Sequence, residues 1–120
     1  MSVTFTIKSY PGSVREISFV GKISSNEDFD GIKEKVEELL ALDIRKIIIN
    51  LEQVSFMNSS GLNLMLNLLT KTRTKGGELV ITNVNGTVEK LFEISKLSKV
   101  FKIKHSLDEA LNELNNLDNE

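Results

Sequence analysis

Two adjacent serines and a glycine interrupt an apolar run in the stretch FMNSSGLNLML, residues 56 to 66. Asn58, Ser59 and Ser60 are all residue types that accept hydrogen bonds from the first backbone N–H groups of a helix. Helix capping alone would therefore explain the stretch, with Gly61 allowing a turn or close packing. The alternative is that one hydroxyl is exposed and has a chemical use.

A catalytic serine is disfavoured by its surroundings in the sequence. The stretch lacks the G-x-S-x-G pattern of hydrolases, and an activated serine usually needs a histidine as its base. His105 is the only histidine, and its position before the last predicted helix is typical of a surface residue. Cysteine, a Walker-type loop and paired metal-ligand spacing are missing. We expect no enzyme activity, catalytic residue, cofactor or metal site.

The composition indicates one soluble domain over residues 1–120, with residues 119–120 fraying. Hydrophobic residues make up 40% and charged residues 27%, as in globular proteins. A net charge of -2 without a basic stripe disfavours a nucleic-acid partner. No run approaches the ~20 apolar residues that cross a bilayer, and no signal peptide is recognisable. We therefore expect a cytoplasmic protein without membrane insertion.

Alternation and short apolar runs predict five strands. Residues 3–7 and 17–19 flank a type II turn at Pro11 and Gly12, which predicts a hairpin. The isoleucine run 47–49 is typical of a strand covered on both faces. Residues 78–82 and 100–103 complete the set.

Four helices are predicted between and after these strands. The first opens at a capping pair, Ser25 and Asp28, the second runs to about Lys75, and the last opens at a capping box, Ser106 and Glu109. The order β-β-α-β-α-β-α-β-α predicts an α/β fold with a mixed, mostly parallel sheet of about five strands and about four helices. The apolar faces of the first, third and last helices are Phe29, Ile32, Val36, Leu39 and Leu40; Val88, Leu91 and Phe92; and Leu107, Ala110, Leu111 and Leu114.

The second helix has two distinct faces. At about 100° per residue, one face is apolar and should meet the sheet, and another is polar but nearly uncharged, which suits a surface covered by a partner. Leu64 and Leu68 lie outside both faces, as second-row core or as an exposed apolar pair. The apolar face comprises Leu62, Met65, Leu66 and Leu69, and the polar face Ser59, Asn63, Asn67, Thr70 and Thr74.

A family resemblance rests on the segment INLEQVSFMNSSGLNLML, residues 49 to 66. It resembles the central segment of the STAS domain of bacterial anti-sigma factor antagonists, where an apolar strand precedes [IM]-D-S-[SA]-G-L. The resemblance extends over almost the whole chain, through FVGKIS, GGELVITN, VEKLFEISKLSKVFKI and SLDEAL. It implies a single STAS-like domain.

The resemblance also implies a mechanism. The unmodified antagonist binds an anti-sigma factor that is also a serine kinase, and so frees a sigma factor. The kinase phosphorylates the first serine of the motif, the complex dissociates, and a PP2C-type phosphatase reverses the modification. By position the acceptor is Ser59, with Ser60 as the alternative. We expect a monomer or weak dimer. The implied partner-binding residues are Ser24, Asn58, Ser59, Ser60, Gly61, Asn63 and Asn67.

Two positions depart from the family pattern. Asn58 stands where aspartate is usual, and Ser24 replaces the acid that commonly ends the second strand. Asparagine caps a helix about as well as aspartate, so the fold should be unaffected. The loss of both acids supports an alternative function, a non-phosphorylated STAS interaction module in a signalling assembly or a lipid-transport complex.

Overall fold

The computed structural model describes residues 3–24 and 28–116, which form a five-stranded sheet in the order β1-β2-β3-β4-β5. β1 is antiparallel to β2, and the other neighbours are parallel, which confirms the predicted mixed α/β fold and element order. The elements are β1 Thr4–Tyr10, β2 Val14–Ile23, α1 Phe29–Ala41, β3 Lys46–Met57, α2 Ser59–Thr74, β4 Glu78–Thr82, α3 Gly86–Ile94, a 3-10 turn Leu97–Lys99, β5 Lys102–Lys104 and α4 Leu107–Asn116.

The sheet has a hydrophobic core on each face. α1, α2 and α3 contribute to the larger core on one face, where Ile47 and Ile49 are completely buried. α4 packs on the other face against Ile48 and its neighbours on β2 and β4. The isoleucine run is therefore buried on both faces, as its lack of alternation predicted.

The second half of β3 was not predicted as a strand. β3 continues to Met57, and its buried positions recur every third residue, at Leu51, Val54 and Met57. Two register shifts between β2 and β3 explain this period, because each adds a residue to β3 that has no partner on β2. Ser55 and Phe56 are consequently exposed.

The last strand begins later than predicted. Lys96 adopts a left-handed conformation (φ 65°) after α3, and the 3-10 turn that follows includes the Val100 N–H, which donates to Leu97. Val100 therefore lies in the turn, and pairing with β4 starts at Lys102. Phe101 is buried and packs edge-on against Phe92, with ring centroids 5.4 Å apart.

Turn and cap predictions are largely confirmed. Gly12 has φ 87°, as the third position of a type II turn requires. Ser106 Oγ accepts from the Glu109 N–H at 3.2 Å, and the Glu109 carboxylate accepts from the His105 N–H instead of the Ser106 N–H.

Asp28 does not cap α1 with its side chain. Asp28 occupies the N-cap of α1, but its side chain makes no capping bond and accepts from the Val3 N–H at 3.3 Å. The carboxylate thus joins α1 to the start of β1. Ser25, the other half of the predicted pair, and residues 119–120 lie outside the described residues. Across the described ranges, none of the helices is both long and apolar enough to cross a membrane.

Candidate functional site

Asn58 links the end of β2 to the start of α2. Its Oδ1 accepts from the Gly61 N–H at 3.0 Å, and its Nδ2 donates to the Ser24 carbonyl oxygen at 3.3 Å. Asn58 is therefore the residue that caps α2. The sequence had left the capping role open among Asn58, Ser59 and Ser60, and the structure leaves both serine hydroxyls unnecessary for the cap.

The two serines face different surroundings. Ser59 is exposed at the first position of α2. Ser60 is half-buried and lines a pocket of about 290 Å³ between α1 and α2, together with Lys33 and Asn63. Ser59 is therefore the hydroxyl that a docking protein can cover. Sequence reasoning missed Lys33, because nothing in α1 distinguishes it from Lys35, the other lysine of that helix, until α1 and α2 pack together.

Gly61 is required by the close approach of α2 to β2. A Cβ atom at this position would overlap the Ile23 carbonyl oxygen and would lie 2.7 Å from Met57 Cγ. The first turn of α2 therefore rests directly on the end of β2, and this contact fixes where Ser59 is presented. The prediction that Gly61 contacts a partner stays a prediction.

The predicted polar face of α2 has two environments. Asn63, Thr70 and Thr74 are exposed, whereas Asn67 is partly buried in the groove between α1 and α2. Asn67 Oδ1 is buried and has no hydrogen-bond partner among the described residues. The part of this groove between the C-terminal halves of α1 and α2 has a volume of about 430 Å³. It is lined by Glu37, Leu40, Ala41, Asn67, Thr70, Lys71, Thr74 and Lys75.

Leu64 and Leu68 belong to the core. Both are buried, so the alternative of an exposed apolar pair beside the polar face is wrong. α2 packs against α1 as well as against the sheet, which is why it buries a second row of side chains. Leu66, predicted to face the sheet, is only partly buried at the margin of this core.

A second polar cluster lies on the α4 side of the sheet. Glu16 is 5% exposed, and its two carboxylate oxygens accept from Tyr10 Oη and Asn50 Nδ2, each at 3.1 Å. Burial raises the pKa of Tyr10, and the hydrogen bond to Glu16 adds to the rise. Asn83 Nδ2 donates to Asn50 Oδ1 at 3.2 Å. Each Glu16 oxygen accepts a hydrogen bond, as buried polar groups in structural networks do. We therefore interpret this cluster as a support for the sheet.

The sequence analysis also considered a histidine base and a metal site. His105 is exposed, as predicted, two residues before α4. Within residues 3–24 and 28–116, no group of three or more His, Cys, Asp or Glu side chains is arranged to hold a metal ion.

The Asn58 contact to Ser24 gives a testable stability effect. Asn58→Asp keeps the acceptor for the Gly61 N–H but removes the donor to Ser24 and places a carboxylate oxygen against a carbonyl oxygen. We expect the free energy of unfolding in urea at pH 7 to fall by about 1 kcal/mol. The loss should shrink below about pH 3.9, where the introduced carboxyl group is protonated and can donate. Asn58→Ser, which keeps a cap but cannot repel, should lose less; equal stability of Asn58→Asp and wild type at pH 7 would refute the role of the contact.

Comparison with known proteins agrees with this architecture. The family model of the STAS domain matches residues 11–110. The chain is 37% identical over 68 residues to the anti-sigma F factor antagonist of Paenibacillus polymyxa, a match covering 57% of this chain and 58% of that protein.

Solved structures show the same fold. An anti-sigma factor antagonist from Mycobacterium paratuberculosis aligns with a TM-score of 0.81 and 21% identity over 95% of each chain. The phosphorylated form of the Bacillus cell fate determinant SpoIIAA aligns with a TM-score of 0.70 and 23% identity, over 92% of this chain and 98% of that chain. The family model matches 100 consecutive positions (11–110), and both solved structures share the fold. The chain therefore belongs to the STAS domain family.

Proposed function

We propose that this chain is an anti-sigma factor antagonist. It binds an anti-sigma factor serine kinase through the N-terminus of α2 in the cytoplasm, frees a sigma factor, and is released when Ser59 is phosphorylated. The observation that carries this proposal is the exposed Ser59 hydroxyl on a helix that Asn58 already caps. The name of the Paenibacillus relative supports the same function.

The first turn of α2 suits a phosphate that must switch binding without unfolding the domain. It contains no acidic residue, and the free N–H groups and the positive end of the helix dipole favour an anion there. A phosphate adds about 1.5 to 2 negative charges at neutral pH. Burying that charge under a partner without a matching cation costs several kcal/mol, and each ~1.4 kcal/mol is a tenfold loss of affinity. Phosphorylation should therefore act on the interface and leave the fold intact.

The second candidate function is a non-phosphorylated STAS interaction module in a signalling assembly or a lipid-transport complex. The hydrogen bond from Asn58 Nδ2 to the Ser24 carbonyl favours it, because the position of a usual acid is occupied by a structural contact. The same absence of acids reduces repulsion toward a phosphate, so we retain the switch in the leading proposal. A PP2C-type phosphatase would reset it, and the protein would act as a monomer or weak dimer.

The mass of the intact protein after kinase treatment tests the proposal. Each purified anti-sigma factor kinase of the source organism is incubated with ATP and the chain, beside the matched variants Ser59→Ala and Ser60→Ala. We expect one phosphate on wild type and Ser60→Ala and none on Ser59→Ala. An unchanged wild-type mass with every kinase would favour the second candidate, and loss of phosphate only in Ser60→Ala would move the acceptor to Ser60.

A further inference from the structure

The open face of the sheet beside Ser59 carries two exposed apolar side chains, Val20 and Phe56, among polar ones. We define the open-face patch by six residues and propose that the anti-sigma factor kinase covers it together with the N-terminus of α2. This inference rests on the proposed function and extends the interface beyond it. The residues are Thr4, Ser18, Val20, Gln53, Ser55 and Phe56.

The register places five of these residues on one face, and Ser55 is the exposed, unpaired residue at the register shift before Phe56. Val20 pairs with Thr4 of β1 and with Gln53 of β3, and Lys22, two residues farther along β2, pairs with Phe56. This face is opposite to the one that contributes Phe19 and Ile23 to the larger core. α4 covers only the other end of it, over Val14, Ile48 and Val80, so the end nearest Ser59 is open.

A bulge turns Phe56 to the outside. Regular alternation would place Phe56 on the same face as Val54, which is buried in the core. The register shift between Gly21 and Lys22 reverses this, and Phe56 is left 43% exposed. Bulges commonly redirect side chains beside functional sites. Exposing a phenylalanine forgoes the stabilisation that burial would give, and a partner that covers it would restore that stabilisation.

The composition of the patch matches the centre of a protein interface. Two of its residues are exposed apolar side chains, Val20 at 41% and Phe56 at 43%, and the other four are uncharged and polar. Exposed Lys22 pairs with Phe56 on the same face, and exposed Glu52 adjoins Gln53. Interfaces place aromatic anchors and uncharged groups at their centre and charges on their rim.

Continuity with Ser59 identifies the occupant. Phe56 precedes Ser59 by three residues, and a partner typically buries roughly 800 Å² and 20–30 residues on each side. The seven predicted contact residues are too few for that area, so a partner that covers Ser59 must extend onto a neighbouring surface. A second copy of the chain bound to the open-face patch would instead compete with the kinase for the edge of the sheet that presents Ser59.

Other exposed apolar side chains provide a control. Leu42 follows α1 and Ile94 ends α3, and both helices run back from the edge that presents Ser59. Ile94 is 80% exposed, more than Phe56. A kinase that merely prefers exposed apolar groups would respond to Ile94 as well.

The test measures the affinity of each chain variant for the purified kinase that binds the wild-type chain. We expect Phe56→Ser to weaken binding by about tenfold or more and Val20→Ser by less, with Ile94→Ser within about twofold of wild type. Val20 and Phe56 are partly covered, so both variants should lower the melting temperature by a few degrees, and affinities are measured well below the transition of each variant. A photo-crosslinking amino acid at position 53 gives a second readout that needs no loss of an apolar group, and it should link to the kinase.

The outcomes separate this inference from the proposed function. Suppose that Ser59→Asp weakens binding, that Phe56→Ser leaves the affinity for the kinase unchanged, and that position 53 does not crosslink to the kinase. The inference is then overturned and the proposed function stands. If no kinase of the source organism binds the wild-type chain, both are overturned. If Phe56→Ser abolishes a concentration-dependent dimer in sedimentation without changing kinase affinity, the occupant is a second copy and the inference is wrong.

Discussion

Gly61→Ala is expected to lower the free energy of unfolding by about 2 kcal/mol. Inserting a methyl group into a tightly packed contact costs about 3 kcal/mol, and the higher helix propensity of alanine returns up to about 1 kcal/mol. The methyl group would overlap the carbonyl oxygen of Ile23, which belongs to the backbone of β2 and cannot rotate away. Relief of the overlap requires the first turn of α2 to move, and the Asn58 contacts to Gly61 and Ser24 would be strained with it.

Gly31→Ala is the matched control for this prediction. Gly31 lies within α1, and a Cβ atom there would meet nothing within 4 Å. The same chemical change should therefore stabilise the protein by about 0.5 to 1 kcal/mol, through helix propensity alone. Urea denaturation of both variants measures the two effects. Stabilisation by Gly61→Ala would show that α2 does not rest on β2 as described here.

Ser59→Asp is expected to weaken kinase binding roughly 30-fold, equivalent to about 2 kcal/mol. The carboxylate adds one negative charge at the spot that the partner must cover, with no acid or base in the first turn of α2 to compensate it. Folding stability should be unchanged or up to about 0.5 kcal/mol higher, because an acid near a helix N-terminus interacts favourably with the helix dipole. The signature of the proposed switch is thus a large change in affinity at constant stability.

Asn112→Asp controls for net charge in the same titration. Asn112 is exposed on α4, which covers the end of the sheet that lies away from Ser59 and from the open-face patch, so it adds the same charge away from the predicted interface. We expect its affinity to stay within about twofold of wild type. Isothermal titration with the kinase and thermal melts of the free variants provide the two readouts. Equal affinity of Ser59→Asp and wild type would contradict the proposed role of Ser59.

Features that depend on residues a few positions away in the sequence were predictable. The isoleucine run 47–49 lacks alternation because it is buried on both faces, and the Ser106 capping interaction spans three residues of sequence. The hairpin follows from the backbone preferences of Pro11 and Gly12. Each depends on neighbours within a few positions, so the pattern in the sequence is sufficient.

Long-range contacts decided the remaining features. The bulge that exposes Phe56 comes from the pairing of β3 with β2, and Lys33 and Ser60 line one pocket only because α1 packs beside α2. The choice among three capping residues also depended on Ser24, 34 positions away in sequence, which holds the Asn58 amide.

By itself, the sequence determined the order of strands and helices, because hydrophobic period and turn chemistry are local properties. The family and the segment that presents Ser59 followed from the resemblance of residues 49–66 to a known motif. Only the tertiary structure decided which hydroxyl is exposed, why Gly61 cannot carry a side chain, and that Leu64 and Leu68 are buried. Those properties depend on which atoms of distant segments occupy the surrounding space, and neither residue type nor spacing specifies that.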